Sequence, residues 1–392
     1  MMKFHTGYYH LHDDPQVNFQ MNRWIAYLGD SCLDDMRSIA PRINDYPAIR
    51  RELLALADRA LAEGRILNAA YYYRSAEFYM WAGDPAKKPT RQKFLDLVRK
   101  ALDIKENDRY LVPYDDGEAR GMLPAYRFRC ENPKGIVVIH GGGDSYIDEF
   151  LPIILAMVEW GYDIVIFEGP GQGGALEDYG LPMTVEWHKP VKAVLDYFKL
   201  DDVTLLGISL GGCLALRAAA FEPRVKRVIA YDVYYDFLEA VAGRLTPAKG
   251  AAIRTMIRLG PAPLVNAIVR RRMEKHLAVE WVVKEGMHMT GAKSPFEFYK
   301  KFMGFTTSDI SHLIRQDVLV MAGTEDFFIP VSQFYRQIEV LSNARSVTAR
   351  LFTRAEEAQS HCQVGNLGLA LSVIFGWIDS MGQSTLEGPY RT

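Results

Sequence analysis

Gly207-Ile208-Ser209-Leu210-Gly211 stands directly after the apolar run Val203-Thr204-Leu205-Leu206 and directly before a helix-forming run over 213–220. This order of strand, sharp turn and helix constrains the chain more than any other segment. A residue at the centre of so tight a turn takes a strained backbone conformation, and a side chain two residues to either side would strike the strand or helix being joined. Ser209 would then project its hydroxyl at the carboxyl edge of a sheet. By itself G-x-S-x-G is weak in a chain of 392 residues with 31 glycines, because the same string serves as a plain strand-to-helix turn. The rest of the chain separates the two readings.

Three further elements appear, each at the end of a strand-like run. Gly135-Ile136-Val137-Val138-Ile139 leads into His140-Gly141-Gly142-Gly143, a loop without side chains to block a substrate carbonyl from backbone N–H groups. The N–H groups of Leu210 and Gly142 are the expected oxyanion donors, with Gly143 the substitute if the loop is one residue out of register. Downstream, the run over 317–322 enters Gly323-Thr324-Glu325-Asp326-Phe327-Phe328-Ile329-Pro330, which offers two adjacent carboxylates. Asp326 is the expected acid because G-x-x-D-x-x-x-P aligns it with the proline; Glu325 stays open as the alternative. His361, after the last strand-like run at 346–352, is the only one of nine histidines beyond the acid. Serine, acid, histidine is the chain order of an α/β-hydrolase site.

The other histidines make weaker claims. His140 reads as a structural histidine beside the glycine loop. His5, His10 and His12 lack the accompanying Cys or carboxylate spacing of a metal site, and His188, His276, His288 and His312 have no partner legible in the sequence. Neither cofactor nor metal is expected. Cys32, Cys130, Cys213 and Cys362 form no C-x-x-C and read as reduced thiols, with Cys213 and Cys362 as packing groups.

A net charge of −2 gives no field for nucleic acid or an anionic membrane, and Arg270-Arg271-Arg272 reads as a solvated helix face. The first residues lack a signal-peptide core, and no apolar stretch reaches the roughly 20 residues of a membrane span. A cytoplasmic enzyme acting on a small-molecule substrate is expected, with the assembly left open as far as a homodimer.

Residues 1–106 carry helical periodicity at 51–58, 66–81 and 91–102 and read as an all-helical N-terminal domain, whose aromatic stretch at 71–81 must cover the hydrolase part or its substrate. A hairpin with Asp115-Asp116-Gly117 at its turn opens the first part of the core, 107–233. Strands at 136–139, 163–167, 203–206 and 225–231 then alternate with helices at 149–160, 184–198 and after Ser209, as in a doubly covered parallel sheet. Residues 234–313 show helical runs only and read as a cap over the carboxyl ends of the strands. The second part of the core is 314–382, and 383–392 a loose tail.

Several stretches together resemble one group of α/β-hydrolases: 72–78, Leu123-Pro124-Ala125-Tyr126, His140-Gly141-Gly142-Gly143-Asp144-Ser145, Glu168-Gly169-Pro170-Gly171-Gln172-Gly173, the Ser209 elbow and Glu357-Ala358-Gln359-Ser360-His361-Cys362-Gln363. The group contains dihydroxypseudooxynicotine hydrolase, the fungal melanin-pathway enzymes that shorten a polyketide chain, and the fermentation-respiration switch protein. The resemblance implies an α/β fold with a mostly parallel sheet, a helical N-terminal domain and a helical cap. For the first two relatives it implies hydrolysis of a carbon–carbon bond next to a ketone; carboxylesterase or peptidase activity is the alternative, and a non-catalytic binding protein on the same fold the third reading. It also implies a further carboxylate assisting the leaving group, for which Asp232, Asp236 and Glu239 are the candidates.

Overall fold

The computed structural model describes residues 4–243 and 247–383, with backbone alone at 241–243, 247 and 382–383. Five helices come first: α1 (Pro15–Leu28), α2 (Asp30–Ile39), α3 (Tyr46–Ala62), α4 (Ile66–Phe78) and α5 (Lys87–Ala101). The sequence periodicity points to the last three. It misses α1, where Val17, Phe19 and Met21 alternate with Gln16, Asn18, Gln20 and Asn22 in a period of two, yet all seven are buried in a helix. What starts α1 is its cap: the Asp14 carboxylate accepts from the N–H groups of Gln16 (2.9 Å) and Val17 (3.1 Å), and Pro15 opens the first turn.

Eight strands come next: β1 (Arg109–Asp115), β2 (Arg120–Phe128), β3 (Ile136–His140), β4 (Asp163–Phe167), β5 (Val203–Ile208), β6 (Val225–Tyr231), β7 (Asp317–Gly323) and β8 (Ser346–Phe352). They form one sheet in the order β1-β2-β4-β3-β5-β6-β7-β8. β1 pairs antiparallel with β2, and β2 antiparallel with β4; every other pair is parallel. β4, β5 and β7 are buried along their whole length, which is why they read as unbroken apolar runs. The crossovers and cap are α6 (Leu151–Glu159), α7 (Gly173–Glu177), α8 (His188–Phe198), α9 (Leu210–Ala219), α10 (Phe237–Gly243), α11 (Pro247–Leu259), α12 (Ala262–Met273), α13 (Leu277–Thr290), α14 (Pro295–Phe302), α15 (Val331–Val340) and α16 (Leu367–Gln383). Among the described residues between β6 and β7 the elements are therefore helical, apart from an isolated bridge between Asp236 and Thr306. Two helices are shorter than their apolar pattern. α8 starts at His188 rather than 184, and the segment at 147–150 is a 3-10 turn ahead of Pro152 in α6. The tail read from 383 lies outside the described residues beyond Gln383.

Alternating strand residues feed two cores. Ile139, Ile166, Leu206, Ile229 and Met321 face one continuous cluster that runs into α1–α5 and α16. Val138, Val165, Leu205, Val228 and Val320 face the other, under α8, α9 and the cap. The N-terminal helices thus share a core with the sheet. Among the described residues no helix is long and apolar enough to cross a membrane.

The backbone of the elbow leaves no space for a Cβ. One added at Gly212 would sit 1.8 Å from the carbonyl oxygen of Asp232, whereas one at Gly376, on the exposed side of α16, would meet nothing. Gly212→Ala is expected to destabilise by about 1–3 kcal/mol or more, and Gly376→Ala to stabilise by about 0.5–1 kcal/mol through helix propensity, measured by urea denaturation.

Candidate active site

Ser209 lies between β5 and α9 with φ 64° and ψ −125°, a conformation that an L-residue adopts only when its surroundings impose it. They do so through glycine. A Cβ on Gly207 would fall 1.9 Å from the Gly211 carbonyl oxygen, and one on Gly211 2.5 Å from that of Gly141. The Ser209 N–H donates to the Tyr231 carbonyl at 2.6 Å, tying the turn to β6.

The structure brings Ser209, His361 and Asp326 together. Ser209 Oγ is 2.7 Å from His361 Nε2, and His361 Nδ1 is 2.6 Å from Asp326 Oδ2. With the serine hydroxyl donating to Nε2, the ring proton sits on Nδ1 and donates to the carboxylate, a tautomer assigned from the network. Asp326 is fixed by its other oxygen, which accepts from the N–H groups of Phe328 (2.6 Å) and Ile329 (2.9 Å). Burial by itself would lower the His361 pKa, but the Asp326 carboxylate, with Asp232 beside it, holds it well above the usual histidine range. Glu325 turns to the surface and pairs with Arg354.

The glycine loop lies over the serine. A Cβ on Gly142 would stand 3.0 Å from Ser209 Cβ and 3.3 Å from the Leu210 nitrogen, while one on Gly143 would meet Met289 Sδ at 3.0 Å. Leu210 is the first residue of α9, where N–H groups lack partners within the helix. The loop is held by a residue to which the sequence assigns no visible role. Gln172, 1% exposed, donates from Nε2 to the carbonyls of both Gly141 and Gly142 at 2.7 Å, and its Oε1 accepts from the Gly169 N–H at 2.9 Å. The Glu-Gly-Pro-Gly-Gln-Gly stretch is thus a clamp on the glycine loop. Its Glu168 accepts from the N–H groups of Ile147 and Gly174, and burial pushes its carboxyl up to about 8.

The three carboxylates expected after β6 go to different places. Asp232 lies against the histidine, with Oδ2 3.1 Å from Nδ1. Asp236 caps α10 by accepting from the Glu239 N–H, and Glu239 pairs with Arg336. Neither lines the cavity at Ser209. Two carboxyls do: Asp144, which lies 3.7 Å from Arg23, and Glu285 on α13, which lies too deep in a helical run to stand out in the sequence. Among the described residues none donates Glu285 a hydrogen bond; burial raises its pKa, against the pull of Lys87 and His288.

His140 is fully buried against Phe167 and Trp187, and burial lowers its pKa to about 4, so it is neutral. His5, His10 and His12 contact separate partners: Tyr9, Asp13 and the Ile43 carbonyl. His288 pairs with Glu177 at 3.0 Å. The four cysteines are free, and burial pushes the Cys362 thiol up to about 11. Arg270, Arg271 and Arg272 are all exposed. Donor atoms of Asp232, His361 and Cys362 lie within 4.8 Å of one another, but both ring nitrogens of His361 already serve Ser209 and the carboxylates.

The cavity over Ser209 has a volume of about 170 Å³. Beyond the glycine loop and the residues around Ser209 and His361, its walls include Phe19, Arg23 and Tyr27 of α1, Trp281 and Met289 of α13, and Phe298 of α14. The aromatic α4 does not reach it. Its Phe78 stacks on Trp281 at 4.6 Å, and its Tyr71 hydroxyl donates to the Glu149 carbonyl.

The profile of the Alpha/beta hydrolase family matches residues 136–362. The chain belongs to this family. Membership makes it an enzyme, and the sheet, elbow and covering helices described above are the family's architecture with additions at both sides. Hydrolyase poxO of Penicillium oxalicum is 28% identical over 363 residues, spanning 85% of each chain. Hydrolase acrC of Aspergillus aculeatus is 25% identical over 363 residues, spanning 84% of this chain and 83% of its own. Among solved structures, 2,6-dihydroxy-pseudo-oxynicotine hydrolase matches with a TM-score of 0.58 at 20% identity, covering 88% of this chain and 91% of its own. Wild-type AbyA5 matches with a TM-score of 0.62 at 16% identity, covering 94% and 99%. Both likenesses extend the shared fold beyond the profile into the N-terminal helices.

Removing the Gln172 amide frees two buried carbonyls. Gln172→Leu is expected to lower hydrolase turnover by about 10²-fold, since displacement of a reacting group by about 1 Å costs that much, with a smaller effect on KM. Steady-state kinetics beside a thermal melt checks this.

Proposed function

We propose that the protein is a serine hydrolase that cleaves a carbon–carbon bond next to a ketone in an aromatic or polyketide-like compound. The cavity at Ser209 carries this reading: its walls are aromatic, and the Glu285 carboxyl faces it without a hydrogen-bond donor among the described residues. The resemblance to dihydroxypseudooxynicotine hydrolase and the polyketide-shortening enzymes supports it.

In this mechanism His361, oriented by Asp326, takes the Ser209 proton and the alkoxide attacks the carbonyl carbon. The N–H groups of Leu210 and Gly142 stabilise the oxyanion, with Gly143 next in the same loop. Collapse breaks the carbon–carbon bond, and its electron pair passes into the neighbouring ketone as an enolate. An ester's alkoxide can take its proton from His361, whereas an enolate carbon leaves poorly unless its oxygen is protonated or hydrogen-bonded. Glu285, whose carboxyl burial makes harder to ionise, supplies that proton and regains it from the imidazolium through water. Water, activated by neutral His361, then hydrolyses the acyl-enzyme and a carboxylic acid departs.

Ser209→Ala and His361→Ala should each remove turnover by several orders of magnitude, non-additively, and Asp326→Asn should be far more damaging than Glu325→Gln. The reaction is tested with benzoylacetone and acyl-phenones in ¹⁸O water, beside matched aryl esters and peptides, with products identified by mass. One labelled oxygen is expected in the new carboxylate. Efficient ester or peptide cleavage with no diketone turnover would replace this reading by the esterase or peptidase one, and near-wild-type activity of Ser209→Ala would remove the mechanism itself.

Glu285→Gln separates the bond types. Diketone cleavage is expected to fall by about 10²-fold or more, while hydrolysis of aryl esters, whose phenolate needs no acid, stays within a few-fold of wild type. Equal losses on both would take the proton-donor role away from Glu285.

A further inference from the structure

β6 and β7 are neighbours in the sheet and run parallel, so the loops leaving their carboxyl ends emerge at the same edge. Asp232 comes directly after the last residue of β6, and Asp326 lies three residues beyond β7. Their side chains are 1% and 2% exposed, and an oxygen of each lies on the same ring nitrogen: Asp326 Oδ2 at 2.6 Å and Asp232 Oδ2 at 3.1 Å from His361 Nδ1. We propose that Asp232 is a second acid for His361, sharing its Nδ1–H with Asp326 and able to hold and charge-stabilise the ring when Asp326 is lost. The proposal rests on the reading of Ser209 and His361 as nucleophile and base.

Two further donors hold the Asp232 carboxylate. Oδ2 also accepts from the Cys362 N–H at 2.6 Å, and Oδ1 from Gln363 Nε2 at 3.2 Å. Cys362 and Gln363 both have positive φ, 49° and 47°, so the chain just past the histidine wraps around this one side chain. An anchor for that turn is the plainer role for Asp232. It does not account for an oxygen placed on the ring nitrogen itself, where a second negative charge stabilises the imidazolium formed as Ser209 gives up its proton. The groups facing the pair are few. Cys362 lies beside Asp232 and the ring, Tyr231 beside Asp232, and Tyr8 near Asp326; burial raises the pKa of all three, and the two aspartates are the carboxylates on the ring nitrogen.

His361 must be neutral to act as base, and two carboxylates raise its pKa, so the acid limb of the rate profile lies above the ordinary histidine range. Removing either aspartate moves that limb to lower pH. The probe is a fluorophosphonate, whose rate of attachment to Ser209 reads the base without needing the natural substrate; Ser209→Ala is the blank, and circular dichroism checks each fold.

Asp326→Asn is expected to label about 10–100-fold more slowly than wild type, against the about 10⁴-fold loss seen when a triad acid has no substitute. Asp232→Asn should label within a few-fold at alkaline pH, with its acid limb about one pH unit lower. The double variant should be as slow as His361→Ala. Asp326→Asn already as slow as His361→Ala overturns the proposal, even if Asp232→Asn fails to fold. So does Asp232→Asn with an unmoved limb and a uniform loss, which is the signature of the anchor alone. Unchanged labelling in Ser209→Ala would instead strike the nucleophile reading on which this rests.

Discussion

Everything at this site depends on one tight backbone packing: the elbow pressed simultaneously against its own helix, the glycine loop and the end of β6. Ser209 keeps φ 64° only because Gly207 admits the Gly211 carbonyl, Gly211 admits that of Gly141, and Gly212 admits that of Asp232. Three close approaches converge within six residues. They fix the serine, the N-terminus of α9, the loop above it and the first residue past β6 as one rigid body. The strain of the serine, of order 1–3 kcal/mol, persists because its neighbours over-determine it.

Around that body the chain builds a second layer that is unusually charged for its burial. Glu149, fully buried, accepts from Arg23 of α1 and Arg74 of α4. Arg74 also pairs with Glu77 and donates to the Asp144 carbonyl, and Lys87 reaches Glu77 at 2.9 Å. Such pairs add little net stability, because desolvation offsets the attraction, but deleting one partner is costly. Their effect here is geometric. Asp144 is the residue after Gly143, so the N-terminal helices grip the glycine loop from one side while Gln172 holds it from below. The same helices supply Phe19, whose ring packs 5.9 Å from His361 and edge-on to Phe328. A helical region at the far end of the sequence is thereby part of the wall of the cavity.

How much of this is legible in the sequence depends on how local each signal is. The elbow, the glycine loop and the acid turn are each written within a few consecutive residues, because tight turns and backbone donors leave a contiguous signature. The strands of the parallel sheet are legible for the same reason. α1 is not, since it is buried all round and carries asparagine and glutamine where periodicity expects a polar face; its Asn18 and Asn22 side chains instead satisfy backbone groups of Tyr9 and Leu11. Gln172 could have been found by asking why a glycine-rich turn keeps one long amide. Glu285 could not, because only the folded cap shows which face of α13 turns inward. The choice among Asp232, Asp236 and Glu239 likewise needs the fold, as sequence distance from β6 says nothing of which carboxylate curls back over the sheet edge and which caps or pairs on the outside.

The cavity has two unlike ends, and that asymmetry bears on chemistry. At its floor the groups are all paired: serine to histidine, histidine to aspartate, aspartate to backbone N–H. At its roof Glu285 faces the same space with no hydrogen-bond donor among the described residues, on a helix anchored through Trp281 to Phe78. A paired floor is preorganised and needs no rearrangement as charge develops. A half-buried carboxyl without a donor is less well solvated than one in water, and a substrate that brings a hydrogen-bonding oxygen to it offsets that loss on binding. A flat, largely apolar ligand with one carbonyl over Ser209 and a second oxygen toward α13 satisfies both ends. On the proposed carbon–carbon bond reading, the β-dicarbonyl substrate has that layout, whereas a simple ester would leave the roof carboxyl as it was.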